Sequence, residues 1–216
     1  MTHVAGTDPY AWPYDGNVCG ADLALVVCGA QRDLAAMSVE ADIALDALRD
    51  VAAVVRADGG DVIWLRHGRR ATTGARRRAL PTRGVVGWEL LDVPAAGDHV
   101  VDAAGWDGCY SSELEHVLRD LGTPHLALGG LASELTVDST VRTLNDRGFE
   151  CLVLTDACAP THPEMGRRAH HSLTMSGGIF GALGTTGELA AALDRSRATS
   201  STRSADLVPT APRSVT

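Results

Sequence analysis

The sequence contains no lysine, and all 19 of its basic residues are arginine. Arginine stays protonated in proteins, so it cannot replace lysine as a tunable acid, base or nucleophile. The 27 Asp and Glu residues bring the net charge to −8 with His neutral. An acidic chain argues against a nucleic-acid partner, because phosphate binding needs a surplus of positive charge.

Signals for membranes and for export are also lacking. No apolar run approaches the roughly 18 residues that mark a membrane span. The first fifteen residues hold two prolines, two tyrosines and two acids but no apolar core of a secretory signal. The five cysteines form no C-x-x-C pair. We therefore expect a cytoplasmic protein with reduced thiols, no membrane partner and no metal site.

What the chain does contain is an alternation of strand-like and helix-like segments. Its 216 residues are 45% apolar, which suits one globular domain. Short apolar runs predict strands at 23–28, 62–65, 100–101, 125–128, 151–154 and 179–183. Amphipathic spacing predicts helices at 37–58, 135–146, 164–175 and 187–194. This alternation favours a single-domain α/β fold, a mostly parallel sheet with helices on both faces.

Three segments are expected to differ from this domain, which we place at 18–195. Residues 1–17 form an N-terminal arm, and 196–216, rich in Ser, Thr, Arg and Pro, are predicted to be a disordered tail. The segment 66–83 carries seven arginines in eighteen residues. Charge runs usually mark solvated segments, so a solvated loop is favoured, and a specific anion site stays open as the alternative.

The site of such a fold is expected outside the carboxyl ends of the strands. This rule places Gly29, His67, Ala103 and the segment 130–136 around one rim.

Five stretches, in the same order and spacing, resemble one known family: 9–16, 24–33, 87–90, 139–156 and 177–181. Read as PYAWPYDG, ALVVCGAQRD, GWEL, STVRTLNDRGFECLVLTD and GGIFG, they are similar to the isochorismatase-like superfamily of cysteine hydrolases. Within it they resemble the biuret hydrolase and ureidoacrylate amidohydrolase branch. The resemblance implies the isochorismatase-like hydrolase fold, no cofactor and a homo-oligomer.

The resemblance also implies a catalytic aspartate, lysine and cysteine, and each matching position here holds another residue. Gln31 and Asp33 fix the register that puts the aspartate position at Gly29. The lysine position falls at Ala103 and the cysteine position at Thr136. A hydroxyl without an adjacent base is a far poorer nucleophile than a thiolate. We therefore expect no hydrolysis through a covalent cysteine intermediate.

Four side chains are candidates for other chemistry. His67 titrates near neutral pH and is a candidate acid or base; the alternative is a loop histidine bonded to backbone. Glu134 fixes its turn or orients a ligand. Asp107 replaces the lost carboxylate only if its loop folds inward. Thr136 is expected to donate a hydrogen bond.

The loss of two charged side chains predicts a larger and more neutral cavity unless neighbours fill it, Trp106 and Leu135 being the expected fillers. The residues expected to line this pocket are Cys28, Trp106, Cys109, Ser133 and Leu135.

Two functions remain open from the sequence. The first is a repurposed pocket that acts on a small polar metabolite, amide- or ureido-like or biosynthetic, by non-covalent acid–base chemistry. The second is a catalytically inactive pseudoenzyme, a structural or regulatory subunit beside an active paralogue.

Overall fold

A computed structural model describes residues 12–13, 18–69 and 80–205, with side chains as far as 198. Its strands form one sheet in the order β3-β2-β1-β4-β5-β6, and every pair is parallel. The strands are β1 (Leu23–Cys28), β2 (Asp61–His67), β3 (His99–Ala103), β4 (His125–Leu131), β5 (Glu150–Ala159) and β6 (Ala182–Gly184). The helices are α1 (Arg32–Met37), α2 (Ala41–Ala57), α3 (Leu114–Leu121), α4 (Thr136–Asp146), α5 (Pro163–Leu173), α6 (Met175–Gly178) and α7 (Thr186–Ala205).

Helices cover both faces of the sheet, which confirms the predicted fold class. Successive side chains of a strand point to opposite faces, and both faces of β1 are buried. Leu25 joins a core cluster with residues of α2 and α7, such as Leu48 and Leu193. Val26 joins a second cluster with residues of α3 and α4, such as Leu118 and Val141. Burial on both faces explains why β1 reads as an unbroken apolar run.

Several predicted boundaries were wrong. The helix predicted at 37–58 is α2 and begins at Ala41, after Glu40 in the left-handed region (φ 57°), while the short α1 before it was not predicted. The helix α3 was not predicted, and the last strand begins at Ala182 instead of 179. The backbone of α7 stays helical to Ala205, so the predicted tail boundary at 196 falls inside a helix.

Parts of the predicted arm, tail and arginine-rich loop (1–11, 14–17, 70–79 and 206–216) lie outside the described residues. Of the arm, Trp12 is buried and stacks on His125 with ring centroids 4.7 Å apart. None of the helices that the structure describes is long and apolar enough to span a membrane.

Candidate functional site

The carboxyl ends of β1, β2 and β3 and the start of α4 meet at one rim, as predicted. In the sheet, His67 lies beside Ala103, and Cys28 lies beside both Leu65 and Gly130. Gly29 follows directly and donates its N–H to the Leu65 carbonyl at 2.9 Å.

Gly29, His67 and Thr136 come together at this rim. A Cβ placed on Gly29 would lie 3.4 Å from Cδ2 of His67 and 3.5 Å from Cγ2 of Thr136. The side chains of His67, Ala103 and Thr136 are all fully buried. The positions that the resemblance marks as catalytic are therefore close to one another and shielded from solvent.

The hydroxyl of Thr136, the first residue of α4, is hydrogen-bonded to the backbone. Its Oγ1 donates to the Leu131 carbonyl at 2.7 Å. Because that proton already has an acceptor, the hydroxyl is held as a structural donor and is not activated as a nucleophile.

His67 is oriented by one hydrogen bond and leaves one ring nitrogen free. Its Nδ1 lies 3.0 Å from the Gly105 carbonyl. A carbonyl only accepts, so Nδ1 carries the proton and Nε2 presents a lone pair. Nε2 is buried and has no hydrogen-bond partner. Burial lowers the pKa of His67 to about 4, against the smaller raising effect of the Gly105 bond. The ring is therefore neutral at neutral pH.

Gln31 holds the backbone of His67 in place, a role that the sequence analysis missed. Its Oε1 accepts from His67 N at 2.7 Å, and its Nε2 donates to His67 O at 3.1 Å and to Trp88 O at 2.8 Å. The signal in the sequence is a polar residue three positions beyond a buried strand.

Both candidate carboxylates accept hydrogen bonds from neighbouring residues. Glu134 accepts from Thr161 N at 3.1 Å and from Thr161 Oγ1, and so ties the loop before α4 to the loop after β5. Asp107 accepts from Cys109 N at 2.9 Å and from Thr143 Oγ1 at 3.0 Å. The Glu134 contacts join two loops, and the contact with Thr143 joins the Asp107 loop to α4.

The residues expected to line a pocket divide into two groups. Trp106 and Leu135 are partly buried and pack against one core cluster, while Cys28 and Cys109 belong to the other. Burial raises the pKa of the Cys28 thiol far above its ordinary range. Burial, followed by the Asp107 carboxylate, raises the pKa of Cys109 to about 12. Both sulfurs are thiols at neutral pH, which makes them poor nucleophiles.

The rim also contains a closely packed leucine and a buried hydroxyl without a hydrogen-bond partner. Cδ1 of Leu34, a residue that the sequence analysis did not select, lies 2.5 Å from the point where a Cβ on Gly29 would sit. Ser133 is almost fully buried, and its hydroxyl has no partner.

Two cavities lie elsewhere in the molecule. One, of about 310 Å³, is lined by residues around the start of β4, including Leu118, Thr123 and Phe149. The other, of about 280 Å³, lies beside β6 and α7. Neither is lined by Gly29, His67 or Thr136.

Within the described ranges, no three His, Cys, Asp or Glu side chains are grouped so that they could hold a metal ion. These residues therefore do not fit a zinc site, and no step is assigned to a metal.

A parallel α/β sheet with its polar residues gathered at the carboxyl edge is the architecture of a small-molecule enzyme or of a protein descended from one. The Isochorismatase domain family matches residues 23–186, most of the described sheet and its helices. The chain belongs to this family.

One curated relative is a ureidoacrylate amidohydrolase from Serratia proteamaculans. It is 32% identical over 92 residues, which are 42% of this chain and 37% of that protein. The match therefore spans little more than a third of that relative's length.

Solved structures with the same fold include a cysteine hydrolase from Pseudomonas syringae pv. phaseolicola and a zinc complex of a pyrazinamidase from Pyrococcus horikoshii. The first has a TM-score of 0.76 at 19% identity and covers 88% of this chain and 99% of that chain. The second has a TM-score of 0.68 at 22% identity and covers 76% and 99%. Likenesses at such identities establish the shared fold.

Proposed function

We propose that this isochorismatase-family chain binds a small polar, amide- or ureido-like metabolite at the rim and acts on it by acid–base chemistry without a covalent cysteine intermediate. The observation that carries the proposal is the free Nε2 of His67. This lone pair is buried, unpartnered and directed by a backbone bond, and it lies beside a residue that has no side chain.

A buried acceptor without a donor costs on the order of 1–3 kcal/mol, and a ligand N–H group would remove that cost. Amide and ureido groups supply such N–H donors together with a carbonyl acceptor. Ser133 Oγ, on the loop that leads into Thr136, is a second unpartnered group that a ligand carbonyl would satisfy. The neutral site suits a neutral group.

The names of two relatives support the same class of substrate. One is an amidohydrolase for ureidoacrylate and the other a pyrazinamidase. In this chain His67 takes the place of a base. Because its pKa is about 4, it accepts a proton only weakly at neutral pH, and turnover is slow compared with an enzyme whose base has a pKa near 7.

A pseudoenzyme is the second candidate function, and a specific contact favours it. The Leu34 methyl fills the space beside Gly29, and the Thr136 hydroxyl is bonded to backbone. A site closed in this way serves a structural or regulatory subunit, with a second copy of this chain or an active paralogue as its partner.

One experiment separates the two functions. The purified full chain is incubated with biuret, a carbamoyl amino acid and pyrazinamide; ammonia release is measured, and binding is followed by saturation-transfer NMR. The test variant is His67→Asn. The control is His99→Asn, which changes the histidine at the amino end of β3, away from the rim.

Ammonia release that is lost in His67→Asn and kept in His99→Asn supports the enzyme. Binding without release, with the same variant dependence, supports a ligand-binding pseudoenzyme. Absence of both binding and release contradicts the ligand site and leaves a structural subunit.

A further inference from the structure

Three buried N–H groups next to His67 have no hydrogen-bond partner. They are Nε of Arg69, Nη2 of Arg83 and Nε1 of Trp88. Arginine and tryptophan nitrogens donate and do not accept, so each of the three needs an acceptor. Most buried polar groups in proteins are satisfied, and three unsatisfied donors close together call for an explanation.

The three groups belong to residues at or beside Gly68, the residue that follows His67. A Cβ placed on Gly68 would lie 2.7 Å from Nε1 of Trp88 and 3.1 Å from Cγ of Arg83. Arg83 donates through Nε to the Gly68 carbonyl at 3.0 Å, and its Nη2 has no partner. Arg69 directly follows Gly68, and its carbonyl accepts from the Arg83 amide at 3.0 Å, so the backbones of the two arginines are adjacent.

The charges around this cluster favour an anion. A third guanidinium, that of Arg66, lies 4.0 Å from the centre of the Trp88 ring. Its charge is matched by Asp102, which accepts from Arg66 Nε at 2.7 Å. Two more acids lie near the cluster: Asp33, whose carboxylate occupies the space beside Gly87, and the exposed Glu89, which follows Trp88. Among the ion pairs of the described residues, none includes Arg69 or Arg83.

We infer that Arg69, Arg83 and Trp88 form a binding subsite for an oxyanion, the carboxylate or phosphate group of a small ligand. Two guanidinium groups and an indole N–H supply only donors, which matches an acceptor-only group. For the arginine-rich segment 66–83, the sequence favoured a solvated loop. The buried donors of Arg69 and Arg83 support the anion site that the sequence left as an alternative.

Indole N–H signals of the full-length protein in ¹⁵N NMR provide the direct test. Sodium acetate and sodium phosphate are titrated separately at constant ionic strength, and Trp88→Phe assigns the Trp88 signal. We expect this signal to move and saturate, and the anion with the lower Kd identifies the source as carboxylate or phosphate.

Arg69→Gln and Arg83→Gln are each expected to raise the Kd about tenfold or more, since each removes a charged donor. Arg168→Gln, on the exposed surface of α5, makes the same charge change and is expected to leave the Kd unchanged. Trp88→Phe keeps an aromatic ring and removes the indole donor. If an arginine variant does not fold, calorimetric titration of Trp88→Phe with acetate gives a second test, and we expect a higher Kd than in the wild type.

No saturable movement with either anion overturns the inference. Equal weakening by Arg168→Gln also overturns it, because the effect would then be general electrostatics. Since the readout is binding of a simple anion, a failure of the proposed function (no ammonia release and no amide binding) is distinguishable from this result.

Discussion

Leu34 Cδ1 and Gly29 are in such close contact that a side chain at the end of β1 has no room: the methyl carbon lies 2.5 Å from the ideal Cβ position. Gly29 also has φ +66°, a conformation that L side chains rarely adopt. Leu34 of α1 therefore fills the space that any side chain at this position would need, including the aspartate that the resemblance implies.

We expect Gly29→Ala to destabilise the fold by roughly 2–5 kcal/mol. The left-handed backbone contributes about 1–2 kcal/mol and overpacking against Leu34 about 1–3 kcal/mol. Gly59→Ala is the matched control, because Gly59 has φ +83° and nothing within 4 Å of its Cβ position. Urea unfolding gives both values, and an equal loss in the two variants would contradict the steric role of Leu34.

His67 makes stability depend on pH in a defined window. Burial lowers its pKa from 6.5 to about 4, so between these values the unfolded chain binds a proton that the folded chain excludes. The free energy of unfolding therefore falls as the pH falls from 6.5 to 4, by about 3 kcal/mol from this group.

The measurement is urea unfolding at pH 7, 5.5 and 4 for the wild type and His67→Gln. We expect the variant to lose much of the slope in this window. His170 also has a pKa lowered chiefly by burial. The His170→Gln variant therefore measures how much of the pH dependence of stability comes from His170. If His67→Gln keeps the full wild-type slope, His67 does not remain neutral in the folded protein.

The sequence predicted the sheet well because burial on both faces is visible locally. A strand such as β1 needs apolar residues at every position, and parallel pairing then brings Gly29, His67 and Ala103 to one edge. The helix α3 was missed because its apolar contribution to the core is small, with Leu114 and Leu118 as its buried residues.

The details of the rim depend on contacts that no local pattern shows. Gln31 and His67 are 36 positions apart, and their pairing follows from the order of β1 and β2. Leu34 fills the site because the side of the short helix α1 that carries it faces Gly29. The meeting of Arg69 with Arg83 likewise requires the return of the chain at Thr82, which pairs with Arg69.

Glu134 and Thr161 are expected to be energetically coupled. Removing the carboxylate in Glu134→Ala leaves the Thr161 N–H and hydroxyl without their acceptor, and we expect a loss of about 1–2 kcal/mol at this partly buried position. A double-mutant cycle with Thr161→Val measures the coupling by urea unfolding. A coupling of zero would show that Glu134 does not hold this turn and would return it to the list of ligand-binding candidates.

Thiol reactivity tests whether any cysteine of the fold is a nucleophile. Each of the five cysteines, all within the described residues, carries a thiol that forms no disulfide bond, and Cys19 is exposed. Burial raises the pKa of Cys109 and Cys158 to about 12 and raises that of Cys28 and Cys151 still further. Because the thiolate is the reactive form, we expect the native protein at pH 8 to react rapidly with one equivalent of a disulfide reagent such as DTNB. The Cys19→Ser variant is expected to lose that rapid phase, and unfolding in guanidinium to expose every remaining thiol. A rapidly reacting thiol in native Cys19→Ser would mean that the fold holds an activated thiolate, which would contradict a mechanism without covalent cysteine chemistry.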